Sequence, residues 1–282
     1  MYPLGGFMRS SHALLLLVPI LADRAIAQQT RLRAPAGIRV EDLTWVQAER
    51  VLDTNTVVVI PLGAEAKEHG PQLRLKNDFV LAEYYADRVL KASRVVVYPT
   101  MNYGFYPAFV DYPGSTTLRL GTARDMIVDV VRTIARHGPK RFYVLNTGVS
   151  TLRALAPARD SLAASGIVMT YTDILNIGKA AEESVTRQEG GTHADEIETS
   201  MMLYMHPELV DMSKAVKDYH PGAGGLTRDS AAAVRENKVW SRSGTFGDAT
   251  LATREKGRVV VEAQVKGMLA EIEALRRMPI PP

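Results

Sequence analysis

Apolar residues along this chain follow two rhythms that take turns. Val57-Val58-Val59-Ile60 is short, β-branched and apolar at every position. That marks a strand covered on both faces, since a half-exposed strand alternates. Arg94–Tyr98, Arg141–Asn146 and Ile167–Thr172 carry the same strand signal. Between them run stretches with helical spacing: Glu41–Val51, Phe79–Lys91, Thr122–His137 and Leu152–Ser165. Thr122–His137 is the cleanest, with Met126, Ile127, Val130, Val131 and Ile134 on one stripe. Thr122 is placed to cap it, Asp125 stands at the third position, and Gly138-Pro139 stops it. Asp195–Met205 reads as a helix whose Met201, Met202 and Met205 are core contacts, and Arg254–Arg277 as a long terminal amphipathic helix. This alternation predicts an α/β fold, a three-layer α/β/α sandwich with a mainly parallel central sheet. No repeat or low-complexity linker interrupts it, so residues 41–282 are expected to form one domain behind a flexible polar lead-in, 28–40.

The first 27 residues break the pattern. Arg9 gives a positive start, Ala13–Ala22 an apolar stretch, and Ala25-Ile26-Ala27 a small-x-small cleavage site. The stretch is too short to span a bilayer, which takes about 20 residues. A signal peptide over residues 1–27 is therefore expected, with export to a periplasm or beyond and no membrane anchor after cleavage. The chain has no cysteine, so it carries neither a disulfide nor a lipid-bearing cysteine. Its formal charge of +3 is spread over scattered Lys and Arg with no basic stripe, which argues against nucleic acid as a partner.

In such a sheet, ligands bind beyond the carboxyl ends of the strands. The loops there are 63–78, 100–120 and 147–151. The first holds Lys67-Glu68-His69-Gly70-Pro71, with Asp78 nine residues after the histidine. Two carboxylates and an imidazole at the end of a buried strand are what a metal-assisted hydrolase needs. A second cluster, His193-Ala194-Asp195-Glu196-Ile197-Glu198-Thr199-Ser200, adds an imidazole and three carboxylates. Each residue also has a plainer use. Asp78 can cap the helix that starts near Phe79, and Asp195 and Glu196 read as helix-start charges. Glu198, one turn before the apolar Met201-Met202, needs a partner if buried. Ser150 with Thr147 and Thr151 lacks the Gly-x-Ser-x-Gly elbow of a serine hydrolase. Gly222-Ala223-Gly224-Gly225 lacks the Lys-Ser/Thr of a phosphate cradle. His137 and His206 read as helix-end residues, and His220-Pro221 fits either a loop over the site or a turn. Tyr103, Phe105, Tyr106 and Tyr112 either line a pocket or pack their own loop.

Pro61-Leu62-Gly63, Glu68-His69-Gly70-Pro71 and Asp78 together resemble the metal-binding opening of the creatininase (creatinine amidohydrolase) family. The likeness runs on through Tyr103-Gly104, Tyr112-Pro113-Gly114-Ser115-Thr116-Thr117-Leu118, Arg136-His137-Gly138, His193–Ser200 and Thr253-Arg254-Glu255-Lys256-Gly257. It implies an α/β/α sandwich, frequently a homohexamer, that hydrolyses an amide-type C–N bond in a small molecule with one or two divalent ions (Zn, Mn or Fe). Carried over position by position, it implies Glu68, His69 and Asp78 as metal ligands and His193 and Glu198 as the proton-moving pair. Three departures accompany it. Lys67 stands where the family usually has glutamate, which leaves Glu68, or else Glu65, to serve instead. Gly148 stands where the family's Asn-Gly-His supplies a ligand, so one tightly held ion is expected. Gln72-Leu73-Arg74-Leu75 follows the Gly-Pro turn, with Arg74 able to face an anion. The rival expectation is a member that binds a small ligand without hydrolysing it, with Gly148 marking the loss.

Overall fold

Five parallel strands, β1 (Ile38–Arg39), β2 (Val57–Leu62), β3 (Val96–Val97), β4 (Arg141–Asn146) and β5 (Val168–Tyr171), pair in the order β1-β3-β2-β4-β5. They belong to a computed structural model that describes residues 36–219 and 241–280, all within one compact unit, Pro35–Pro282. Residues 1–27, His220-Pro221 and Gly222–Gly225 lie outside the described residues.

Every residue of β2 is buried, because helices cover both faces of the sheet. Val57 and Val59 join Tyr143 and Leu145 of β4 in one core, against α2 (Asn77–Ala92), α6 (Glu196–Met205) and α7 (Arg254–Arg277). Val58, Ile60 and Leu62 join Phe142 and Val144 in the other, against α3 (Leu120–Ala135) and α4 (Leu152–Ala163). The two-residue period of a strand thus divides one apolar run between two cores. Each fully buried aliphatic or aromatic side chain contributes about 1.5–3 kcal/mol. The expected three-layer sandwich with its mainly parallel sheet is the fold observed.

The element boundaries differ from expectation for local reasons. Glu41–Val51 divides into a 3-10 turn, Val40–Asp42, and α1 (Trp45–Val51), because Thr44 and Gln47 close a capping box. Thr122 does not cap α3, which begins at Leu120, so Leu118 and Leu120 extend the apolar stripe into the core. Part of the expected lead-in is β1, where the Ile38 N–H donates to the Val95 carbonyl. A short helix α5 (Lys179–Val185) and an antiparallel pair, β6 (Lys217–Asp218) with β7 (Gly247–Asp248), have no periodicity that would announce them. The chain leaves β2 for β3 on one side and β4 for β5 on the other. The adjacent carboxyl ends of β2 and β4, Leu62 beside Asn146, therefore open a switch-point crevice.

Candidate metal centre

Gly63 ends β2, and a Cβ there would lie 2.2 Å from the Asp78 carbonyl oxygen, so only glycine lets the start of α2 close onto the strand end. Thr147, just past β4, donates its hydroxyl to that same carbonyl (3.0 Å) and to that of Leu62 (3.2 Å). Asp78 is not the helix cap. It lies in the first turn, and its fully buried carboxylate reaches back across the loop. Its Oδ1 is 2.7 Å from His69 Nε2 and its Oδ2 is 2.7 Å from Lys67 Nζ. Burial alone would raise the Asp78 pKa, but the Lys67 ammonium and then His69 hold it well below the usual carboxylate range.

The second cluster is built at the start of α6. Asp195 caps the helix, accepting from the Ile197 (2.9 Å) and Glu198 (3.0 Å) N–H groups. Just before it Ala194 holds φ at 47°, the single non-glycine residue with positive φ among those described. This kink directs the Ala194 N–H to Glu198 Oε2 (2.5 Å) and its carbonyl to Gln72 Nε2 (2.7 Å). Gln72 Nε2 also donates to Thr199 Oγ1 (3.0 Å), so it ties the two clusters together. The His69 and His193 rings stand 4.9 Å apart, and Phe109 closes over His193 at 4.6 Å.

Carbonyl partners set both tautomers. His69 Nδ1 lies 3.0 Å from the Lys67 carbonyl and must donate to it, leaving Nε2 as an acceptor. His193 Nε2 lies 3.0 Å from the Glu68 carbonyl and must donate there, leaving Nδ1 as the acceptor, 3.6 Å from Glu198 Oε2. Ring nitrogens of both histidines and a Glu198 oxygen fall within 4.8 Å of one another. His69 Nε2 and Asp78 Oδ1, two acceptors at 2.7 Å, call for a proton or a cation. Two imidazoles held by backbone carbonyls and one carboxylate match a three-ligand zinc or manganese site with an open position. The donor set fits one divalent ion.

A cavity of about 110 Å³ opens beside these groups, lined by Lys67, His193 and Glu198 together with Ser150, Leu175 and Glu182. Burial pushes the Glu198 carboxyl up to about 7, with Asp78 and Asp195 adding to it against His193 and Lys67.

The residues expected at the site meet there. His69, His193 and Glu198 are the donors that converge. Glu68 turns the other way: one oxygen accepts from the Gly70 N–H, and the other lies 3.1 Å from His193 Nε2, so it orients that ring. Gly244 makes room for it, since a Cβ there would fall 1.9 Å from Glu68 Oε1. Glu65 is exposed and bound by Asn102. Asp195 caps α6, whereas Glu196 is fully buried and holds the Arg187 and Gln188 N–H groups together with Lys256. Phe109 is a site residue that the sequence reading did not single out, and Lys67 and Gln72 stood there only as departures from the family pattern. Lys67 carried one signal, its spacing of two from His69, which puts both on the same side of an extended segment.

Comparison with known proteins bears on this geometry. The family described as Creatinine amidohydrolase matches residues 41–272. The chain is 28% identical over 251 residues to the creatinine amidohydrolase of Pseudomonas putida, covering 82% of this chain and 95% of that protein. It is 27% identical over 252 residues to the 3-dehydro-scyllo-inosose hydrolase of Thermotoga maritima, covering 81% and 80% respectively. A solved structure described as Creatininase Mn superposes with a TM-score of 0.71 at 25% identity, over 86% of this chain and 100% of that one. A mutant creatininase described as Zn-Zn type superposes at 0.69 and 25% identity, over 85% and 98%.

Proposed function

The chain belongs to the creatinine amidohydrolase family, and from that premise we propose that it hydrolyses a C–N bond of a small molecule at a centre for a divalent ion. The observation that carries this reading is the meeting of His69, His193 and Glu198 at the switch-point crevice, on residues from two distant parts of the chain. A divalent ion held by His69, His193 and Glu198 would supply Lewis acidity toward a carbonyl and a water. The protein's own part is orientation and proton transfer. The Lys67 and Glu68 carbonyls fix the two imidazoles. Glu198, which faces the cavity, would share its carboxylate between holding the ion and passing a proton from water to the leaving nitrogen. Phe109 and Leu175 give the cavity an apolar wall suited to a small ring or chain. Membership does not choose the substrate, since one relative is named for creatinine and another for 3-dehydro-scyllo-inosose.

The test is to strip the protein of metal, restore Zn or Mn, and follow amine release from a panel of small amides, lactams and cyclic amidines. Turnover that returns with the ion, and is lost with the ion in His69→Ala, is the expected result. An ion-loaded protein that binds panel members and leaves them intact would favour the rival, non-hydrolytic reading. The charge and apolar pattern of residues 1–27 supports a further proposal of export, checked by the N-terminus of the mature protein after expression in a Gram-negative host. Self-association, proposed from the resemblance, is checked by light scattering.

A further inference from the structure

Lys67 is a buried lysine pointed into a proposed metal centre. Its ammonium lies 2.7 Å from Asp78 Oδ2 and stands over the rings of Phe109 (4.7 Å) and Tyr106 (5.6 Å). The Lys67 side chain is 6% exposed and that of Asp78 0%, so the pair has left bulk water. A buried carboxylate requires a compensating cation, and an ammonium with two aromatic faces around it supplies one permanently. Asp78 has no second free oxygen, because Oδ1 faces His69 Nε2. A divalent ion on Oδ2 would have to displace the ammonium or share the oxygen with a like charge. Position 148, where the family's histidine would stand, is also filled. A Cβ on Gly148 would meet Thr151 Oγ1 at 2.9 Å and the Tyr106 ring at 3.4 Å, so no ligating side chain fits at 148 without movement. The donors that remain, His69, His193 and Glu198, are enough for one ion.

We propose that the Lys67 ammonium occupies the cation position at Asp78 that a second metal ion would need, making this a one-ion centre with a lysine built in. The inference rests on the metal-centre reading above, and it assigns Lys67 two tasks. It neutralises Asp78 at Oδ2, so that this carboxylate meets the His69 side of the centre through Oδ1 alone and does not bridge two ions. It also presents a fixed positive charge to the cavity that it lines.

Ion stoichiometry decides the matter apart from turnover. Metal-stripped protein is equilibrated with excess Zn or Mn, passed through a desalting column, and its ions per chain are counted by mass spectrometry. Wild type is expected to retain no more than one ion, and so is Lys67→Arg, which keeps the charge. Lys67→Glu is expected to retain one more than wild type. Lys67→Met should melt lower than wild type without ions and gain more than wild type when ions are added. Two retained ions in wild type would overturn the inference even if every variant failed to fold. So would a folded Lys67→Glu whose ion count equals that of wild type. Two ions with amide turnover would sink this inference and leave the hydrolase reading standing. One ion without turnover would do the reverse.

Discussion

Glu198 has two properties that pull in opposite directions. Its carboxyl faces the cavity and is pushed up to about 7 by burial, so it can exchange a proton near neutral pH, yet above that pH the fold must hold a desolvated charge. Glu198→Gln keeps the shape and removes the titration. Turnover of whichever substrate is found should fall about 10²–10⁴-fold, the range for losing a general acid–base group. In the metal-free protein at pH 8, the same substitution should raise the melting temperature, because glutamine carries no charge to bury. Kinetics and thermal melts in chelator check the two halves. A drop in both would mean that the Glu198 bond to the Ala194 N–H matters more to the fold than its charge costs. Activity and stability are expected to part company, as they do where a site is strained for function.

The helices carry the site by crossing closely. Ser200 of α6 accepts from the Thr253 N–H (2.9 Å), Glu196 is paired with Lys256, and a Cβ on Gly257 would fall 1.9 Å from the Ser200 carbonyl oxygen. Gly257→Ala must therefore push α7 off α6. A loss of about 1–3 kcal/mol in denaturant unfolding is expected, the usual range for overpacking. An unchanged midpoint would mean that the helices slide apart freely. The same contacts show what the sequence could reveal. The strands were legible because a parallel sheet covered on both faces writes itself as unbroken β-branched runs, and β4 was read to the residue as Arg141–Asn146. Helix starts were less so, because caps decided them: Thr44 closed a box inside an expected helix, and Thr122 was bypassed. Within the site, His69, Asp78, His193 and Glu198 stood out by residue type and spacing. What Lys67 and Glu68 do could not be read, since it depends on which way neighbouring side chains point. Lys67 and His69 alternate to the Asp78 side, and Glu68 turns to His193 and into the space left by Gly244, 176 positions further on.

For the molecule as a whole, acid is gathered around one cavity. Glu182 of α5 is pushed up to about 7 by burial, then by Asp195 and Glu183, and Glu198 reaches a similar value. Asp195 is also raised, by burial first. Each of these carboxyls holds its proton more tightly in the folded chain than in the unfolded one. Between about 4.5 and 7 the native state therefore binds more protons, and stability falls as pH rises through that window. Asp78 runs the other way, but its depressed pKa acts only below the ordinary aspartate range. A divalent ion in the crevice should relieve the crowding where the carboxyls are charged and compete with protons where they are not. At 100 times its dissociation constant an ion adds about 2.7 kcal/mol. Melting curves with and without Zn or Mn at pH 5 and pH 8 should thus show metal-free protein more stable at pH 5, and the larger ion-induced rise at pH 8. Glu182→Gln, which contributes none of the converging donors, should flatten the metal-free pH slope and leave the ion-induced rise in place. An equal rise at both pH values would mean that the ion binds away from these carboxyls, and the centre would have to be sought elsewhere on the molecule.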